Sequence, residues 1–177
     1  MEMLELYRQI IQLPKPVTCA IGGYALLGGW ILALACDFRF ISEENGRIAL
    51  SEIKLGISPT TILVQTMMHL GARQSTVKEM IFLGKTLKAP EAVREGLVDK
   101  MFPADGLLAG SLEETRKLAK MSMSAFAAVK KSYRESLGPV DGPLWRQGQA
   151  EFGAAFGSVD SREGFRAALE KRRPVWR

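Results

Sequence analysis

Apolar residues recur along the 177-residue chain with two different periods. From Met3 to Leu13, the residues Leu4, Tyr7, Ile10 and Ile11 share one helical face. The pattern predicts a helix without a visible cap, as if Met1-Glu2-Met3 already lay inside it. Pro14-Lys15-Pro16 stops that helix, and the β-prone run Val17 to Ile21 follows as a strand. Gly22-Gly23 turns the chain, and Gly28-Gly29 opens an apolar helix from Trp30 to about Ala35. Asp37 to Ile41 alternates as a strand, Glu43 to Gly46 is a turn, and Arg47 to Leu50 is a second short strand ending at Ser51-Glu52. A helix is expected from about Thr61 to Leu70, capped by Ser58 or Thr60, and another from Gln74 to Leu83, closed by Gly84. Ala89 to Glu95 has Pro90 in its first turn and Gly96 just past its end, which predicts a short helix. Leu97 to Phe102 is the last strand.

Beyond Pro103 the pattern is helical throughout. Ser111-x-x-Glu114 is a capping-box spacing and predicts a helix to about Lys120. Ser124 to Ser136 follows, with Phe126, Val129 and Tyr133 on one face, until Gly138-Pro139 and Gly142-Pro143 break it. Trp145, Phe152, Phe156 and Val159 form one apolar stripe, assigned to a single helix. Asp160-x-x-Glu163 opens the last helix, with Phe165, Ala168 and Leu169 facing inward. Strands mixed with helices over 1–103 and helices alone over 104–177 predict an α/β core with an all-helical C-terminal region.

Val17 to Cys36 carries no charge and has the length of a membrane-spanning helix. Its two glycine pairs and its β-prone first third divide it into a strand and a helix, both buried in a globular core, so no membrane span is expected. With 47% hydrophobic residues the chain can fill one core, which excludes disorder. Two cysteines make no disulfide framework, and a cytoplasmic setting is expected. The net charge of +5 is local: Arg166, Lys171, Arg172, Arg173 and Arg177 face only Glu170 in the last twelve residues, which leaves the rest close to neutral. Nucleic-acid binders spread such charge along a face, so none is expected as a partner.

Several chemistries lack their residues. His69 is the only histidine and sits in an apolar helical run, where a structural role is the commoner one. No Cys/His cluster supports a metal site, and no glycine-rich loop ends in Lys-Ser or Lys-Thr. Cys19 and Cys36 read as small core residues. Two features remain. Gly28-Gly29 at a helix start allows either close approach of an anionic ligand or a tight strand-to-helix turn, and spacing leaves both open. Glu52 is either a base with a raised pKa in an apolar neighbourhood or an exposed strand-end carboxylate; composition alone favours the second.

The stretch Pro14 to Gly29 resembles the crotonase superfamily, the enoyl-CoA hydratases and isomerases. So do Ala35-Cys36-Asp37-Phe38-Arg39, Ser51-Glu52-Ile53-Lys54-Leu55-Gly56, Ala89 to Asp99, Arg162-Glu163-Gly164-Phe165 and Glu170 to Pro174, in the family's order. The resemblance implies a partial crotonase-type spiral of ββα units over 1–103 and a helical trimerisation region over 104–177, assembling as a homotrimer or a dimer of trimers. It implies an acyl-CoA substrate, with the coenzyme A thioester as substrate and no separate cofactor. The Gly28 N–H would hold the thioester oxygen, each such donor contributing about 3 kcal/mol to the transition state. The second donor belongs to the family's N-terminal third, which is expected to precede Met1. Leu27, Gly29, Ile31 and Pro59 would border the substrate, and Lys171, with Arg172 or Arg173, would meet coenzyme A phosphates or simply end a helix in solvent.

Family hydratases use two glutamates. One matches Glu52, and the other position is Ile31 here. One carboxylate suffices to move a proton between two carbons of an enolate, so the resemblance favours a Δ3-Δ2-enoyl-CoA isomerase. Hydration or decarboxylation through the same enolate is the alternative, and a truncated, non-catalytic assembly partner is the third. Ser58-Pro59-Thr60-Thr61 replaces the glycine-rich loop of hydratases.

Overall fold

The computed structural model describes residues 3–138 and 142–176, so the expectations for Met1, Glu2, Pro139 and Arg177 lie outside the described residues. The strands are β1 (Thr18–Ile21), β2 (Tyr24–Leu26), β3 (Phe38–Ser42), β4 (Arg47–Ala49), β5 (Leu87–Lys88) and β6 (Lys100–Phe102). They form two three-stranded sheets, ordered β1-β3-β6 and β2-β4-β5. The first is parallel, with Thr18 opposite Phe38 and Phe40 opposite Lys100. In the second, β2 runs parallel to β4 and β5 antiparallel to it. The chain places one strand in each sheet, passes through helix α2 (Gly28–Ala35), and repeats the step with β3 and β4. This is the expected spiral of ββα units. The expected reading lacked β2 and β5, whose three and two residues are too short to show a period.

Helix α2 accounts for the uncharged stretch. Trp30, Ile31, Ala33, Leu34 and Ala35 are all buried, because α2 is covered on every side. Helix α1 (Met3–Gln12) packs on it through Leu4 and Tyr7. The Tyr7 hydroxyl is paired with Thr66 Oγ1 at 2.9 Å, and its ring stacks on Trp145. Helices α3 (Thr61–His69), α4 (Gln74–Leu83) and α5 (Ala89–Arg94) close the core. Gly84 ends α4 at φ 59°, the left-handed geometry its sequence position implied. Among the described residues, no helix is long and apolar enough to cross a membrane.

Helices α6 (Leu107–Ala119), α7 (Met123–Glu135), α8 (Pro143–Ala155) and α9 (Val159–Leu169) follow β6. Three expectations are corrected here. Helix α6 starts at Leu107, so Ser111 lies buried inside it and caps nothing. The stripe from Trp145 to Val159 spans two helices, because Ser158 accepts a hydrogen bond from the Ser161 N–H and opens α9; Asp160 lies inside the first turn. Ala168 and Leu169 are exposed and Phe165 is 38% exposed, stacked on Phe156, while Ser161, Gly164 and Ala167 are buried instead. Helix α9 sits so close to the backbone of Leu55 that only a small-residue face fits there. Helix α7 shows the same inversion: Val129 and Tyr133 face outward, while Lys130 and Arg134 are buried.

Those two cations meet Asp37. Lys130 Nζ donates to Asp37 Oδ2 at 2.8 Å and Arg134 Nη2 to Oδ1 at 3.3 Å, while the Val17 N–H donates to Oδ2 at 2.8 Å. Arg134 also donates to the carbonyls of Ala35 and Cys36, at 3.0 and 2.9 Å, at the C-terminal end of α2. Arg39 adds a bond to the Cys36 carbonyl at 2.8 Å and reaches Asp99 and the Leu97 carbonyl. Positive charge at a helix C-terminus complements the helix dipole. Replacing Asp37 by Leu strands two buried cations and should lower unfolding free energy by about 3–5 kcal/mol, read from urea denaturation. A loss below about 1 kcal/mol would mean that the two cations find other partners.

Candidate active site

The turn from β2 into α2 is made by Leu27, at φ 49° and ψ −120°, a backbone geometry that L side chains rarely adopt. Two hydrogen bonds hold it there. Its N–H donates to the Ala49 carbonyl at 3.3 Å, and its carbonyl accepts from the Ile31 N–H at 2.9 Å. The turn's unusual torsion therefore belongs to Leu27, and neither Gly28 nor Gly29 has a positive φ. Gly28 serves close approach: a Cβ there would lie 3.0 Å from Met3 Cε. As the first residue of α2, it places its N–H among the helix-start donors that have no intrahelical partner, at the positive end of the dipole.

Glu52 lies on the turn after β4. The strand ends at Ala49, and Glu52 opens a 3-10 helix, Glu52–Leu55, so the expected strand-end position is corrected by three residues. The side chain is only 5% exposed, which overturns the exposed-carboxylate alternative. Neither carboxylate oxygen has a hydrogen-bond partner on another residue. Burial pushes its pKa up to about 7, against a lowering from its own backbone N–H.

Glu52 and Gly28 line one cavity of about 290 Å³. Leu27, Ile31 and Pro59 line it as well. Opposite walls come from Met3, from Leu63 of α3, and from Phe152, Phe156 and Phe165 of the C-terminal helices. The three phenylalanines pack on each other, with Phe152 edge-on to Phe156 at 5.1 Å and Phe156 stacked on Phe165 at 5.9 Å. Glu151 fixes the loop beneath them: its carboxylate accepts from the Thr61 N–H at 2.7 Å and the Thr61 hydroxyl at 2.8 Å, capping α3 from α8. Burial alone would raise the Glu151 pKa, and bonds from the Thr61 N–H, Gln147 and the Thr61 hydroxyl bring it below the usual carboxylate range. The result is an apolar chamber with, among the described residues, one ionisable side chain in its wall, a carboxyl able to accept and return a proton near neutral pH.

Gly29 and Lys171 are not among the residues lining this cavity. Gly29 makes an ordinary approach to Ala25, and Lys171 is exposed just past the end of α9. Arg172 is committed to Glu163 and Glu170, with contacts of 2.6 and 2.5 Å. In the sequence, Met3 was legible only as the start of a helix and Thr60 only as a candidate cap and a member of the loop after Glu52, and nothing marked either as a cavity residue. Phe152 and Phe156 were legible as an apolar stripe, but nothing in their spacing distinguishes a cavity wall from a filled core. His69 packs against the Tyr133 ring, away from these lining residues.

The fold recurs in known proteins. A carnitinyl-CoA dehydratase of Salmonella typhi is 38% identical over 173 residues, 96% of this chain and 66% of its own length. The chain thus spans just under two thirds of the curated relatives it matches. The crystal structure of an enoyl-CoA hydratase from Mycobacterium avium subsp. paratuberculosis superposes with a TM-score of 0.88 at 27% identity, over 99% of this chain and 70% of that one. A carnitinyl-CoA hydratase from Mycobacterium avium gives 0.82 at 27% identity, over 93% and 63% of the two chains. The sequence profile of the enoyl-CoA hydratase/isomerase family matches residues 1–177 from end to end, and with the ββα spiral this makes the chain a member of that family, within the crotonase superfamily.

Proposed function

We propose that this chain forms enolates of acyl-CoA thioesters, with Glu52 as its single acid/base group and the Gly28 N–H as one donor to the thioester oxygen. The observation that carries this is the Glu52 carboxyl, buried in an apolar cavity with neither oxygen partnered by another residue. A carboxyl with a pKa near 7 is populated in both protonation states at neutral pH, so one group can remove a proton and return it. The simplest outcome is a double-bond shift. Glu52 takes a proton from C2 of a 3-enoyl-CoA, the electron pair moves into the enolate, and the same proton returns at C4. Ile31, apolar and buried on the first turn of α2, supplies no second carboxylate.

A second reading is reversible dehydration of a 3-hydroxyacyl-CoA, favoured by relatives that are carnitinyl-CoA dehydratases. In either case the thioester is the substrate and no separate cofactor is needed. Exposed Leu108, Leu112, Val129 and Tyr133 on α6 and α7 support the proposal that the C-terminal helices join copies into a trimer.

Two outcomes are expected of Glu52→Gln. Exchange of C2 protons of an acyl-CoA into D2O, followed by NMR, should fall by about 10²–10⁴-fold; near wild-type exchange would remove Glu52 from the chemistry, and exchange absent even from the wild type would favour an assembly role. Stability gives the second test. The folded pKa lies above the ordinary 4.5, so the neutral form favours the fold; that contribution is complete below about pH 4.5 and is lost as pH rises through 7. Glu52→Gln should therefore match the wild type at pH 4 and exceed it by about 2–3 kcal/mol at pH 8, in urea denaturation. Parallel curves would show that the carboxyl is solvated in the folded state.

A further inference from the structure

A second buried polar side chain shares the cavity with Glu52. Thr60 is 1% exposed, lines the same chamber, and its hydroxyl has no hydrogen-bond partner. Its position makes this unusual. Thr60 is the N-cap residue of α3, where a threonine hydroxyl ordinarily accepts a bond from a backbone N–H of the first turn. Here it makes no such bond. The Leu63 N–H, which a capping hydroxyl would take, bonds the Thr60 carbonyl, and the Glu151 carboxylate, arriving from α8, takes the Thr61 N–H. The Thr60 carbonyl is occupied, accepting from the Leu63 and Val64 N–H groups at 3.0 and 3.3 Å, so the residue is held by its backbone while its hydroxyl stays free. Buried polar groups in folded proteins are almost always satisfied; Trp30, Ser111, Arg134 and Trp145 also carry an unpartnered buried atom, but of the residues with such an atom only Glu52 and Thr60 line this cavity. Among the lining residues, the other polar side chains are Glu52 and Ser58, and Ser58 is exposed.

A hydroxyl and a carboxyl differ in what they can do. The carboxyl moves a proton near neutral pH; the hydroxyl can only donate to and accept from an oxygen. A double-bond shift involves no oxygen beyond that of the thioester. Elimination or addition of water does, and it needs that oxygen oriented.

We infer that Thr60 is the second polar contact of the reacting centre: its hydroxyl holds the C3 oxygen of a 3-hydroxyacyl-CoA, or the water that adds to a 2-enoyl-CoA, while Glu52 moves the proton. This rests on the enolate reading of Glu52 and selects water chemistry within it. In the forward direction Glu52 takes the C2 proton and the electron pair enters the enolate. The pair then forms the C2–C3 double bond as the C3–O bond breaks. The departing hydroxide takes the proton from Glu52 and leaves as water, with no change of oxidation state. Thr60 donates a hydrogen bond to the oxygen as it departs and accepts none of the proton.

The test uses the full chain and three variants, with two catalytic readouts and denaturant unfolding as a third. Exchange of C2 protons into D2O reports enolate formation, and hydration of crotonyl-CoA to 3-hydroxybutyryl-CoA reports water handling. Thr60→Val should keep C2 exchange within about twofold and lower hydration by about 100-fold, as for loss of one aligned donor. Thr60→Ser should restore most of it. Thr60→Val should also unfold at the same or higher denaturant concentration than the wild type, since it removes an unpartnered buried hydroxyl. Hydration unchanged in Thr60→Val overturns the inference, and so does a parallel loss of exchange and hydration. A less stable Thr60→Val assigns the hydroxyl a structural bond and overturns it too. A wild type that exchanges C2 protons without hydrating crotonyl-CoA removes Thr60 but leaves the enolate reading standing. Exchange retained in Glu52→Gln, or absent from the wild type, overturns the enolate reading and this inference together.

Discussion

Arg134 donates to the last carbonyls of α2 while its charge is met by Asp37, and that contact sets the position of nearly everything at the site. Helix α2 has no hydrogen-bonded side chain with which to orient itself; beyond the packing of its apolar faces it is held at its two ends. Its C-terminus is held by Arg39 and Arg134, and Asp37, two residues past its last turn, also holds the Val17 N–H just before β1. A buried ion network of this kind is weak support for net stability, because desolvation offsets much of its attraction. What it supplies here is register. With the far end of α2 fixed to β1, β3 and α7, the near end is fixed too, and the Gly28 amide has a defined direction.

The chain buries two carboxylates in opposite ways. Asp37 receives bonds from a backbone N–H, an ammonium and a guanidinium. Glu52 receives none from another residue. Asp37 lies just before a strand and Glu52 a few residues after one, so nearness to a strand does not separate them. Their partners do. A saturated carboxylate is an inert joint; an orphaned one is a proton carrier in a medium that penalises its charged form. Thr60 extends the same contrast to hydroxyls, since Tyr7 and Thr66 satisfy each other within the core while Thr60 has no partner.

Backbone punctuation was the most legible part of the sequence. Gly84, Pro90 and Gly96 mark helix ends where they were expected, and the strand after Pro16 and the one after Asp37 fall within a residue or two of their apolar runs. These are local signals, and local torsion preferences decide them. Orientation was less legible. On α7 and α9 the apolar residues predict one buried face, and the structure buries another, because Lys130 and Arg134 have a buried carboxylate to reach and Gly164 has a backbone to approach. Glu52 shows the limit most sharply. Composition placed it in solvent, and only its likeness to a family motif placed it in a site. The cavity it lines is walled by Phe152 and Phe165, about a hundred residues away in sequence, which no window around Glu52 contains.

The seat of α9 on the Glu52 turn is made of two glycines. A side chain at Gly164 would fall against the Leu55 backbone, and one at Gly56 would fall against the backbone of Asp160. The two segments thus meet backbone to backbone at both points, with no side chain between them. Phe165 is the residue next to one of these glycines, and Glu52 opens the turn that the other closes. The gap across the chamber is therefore gauged by a pair of contacts that involve no side chain. Such a spacer has no rotamers, so the distance from carboxyl to aromatic wall is set by backbone thickness, the least variable dimension a protein has.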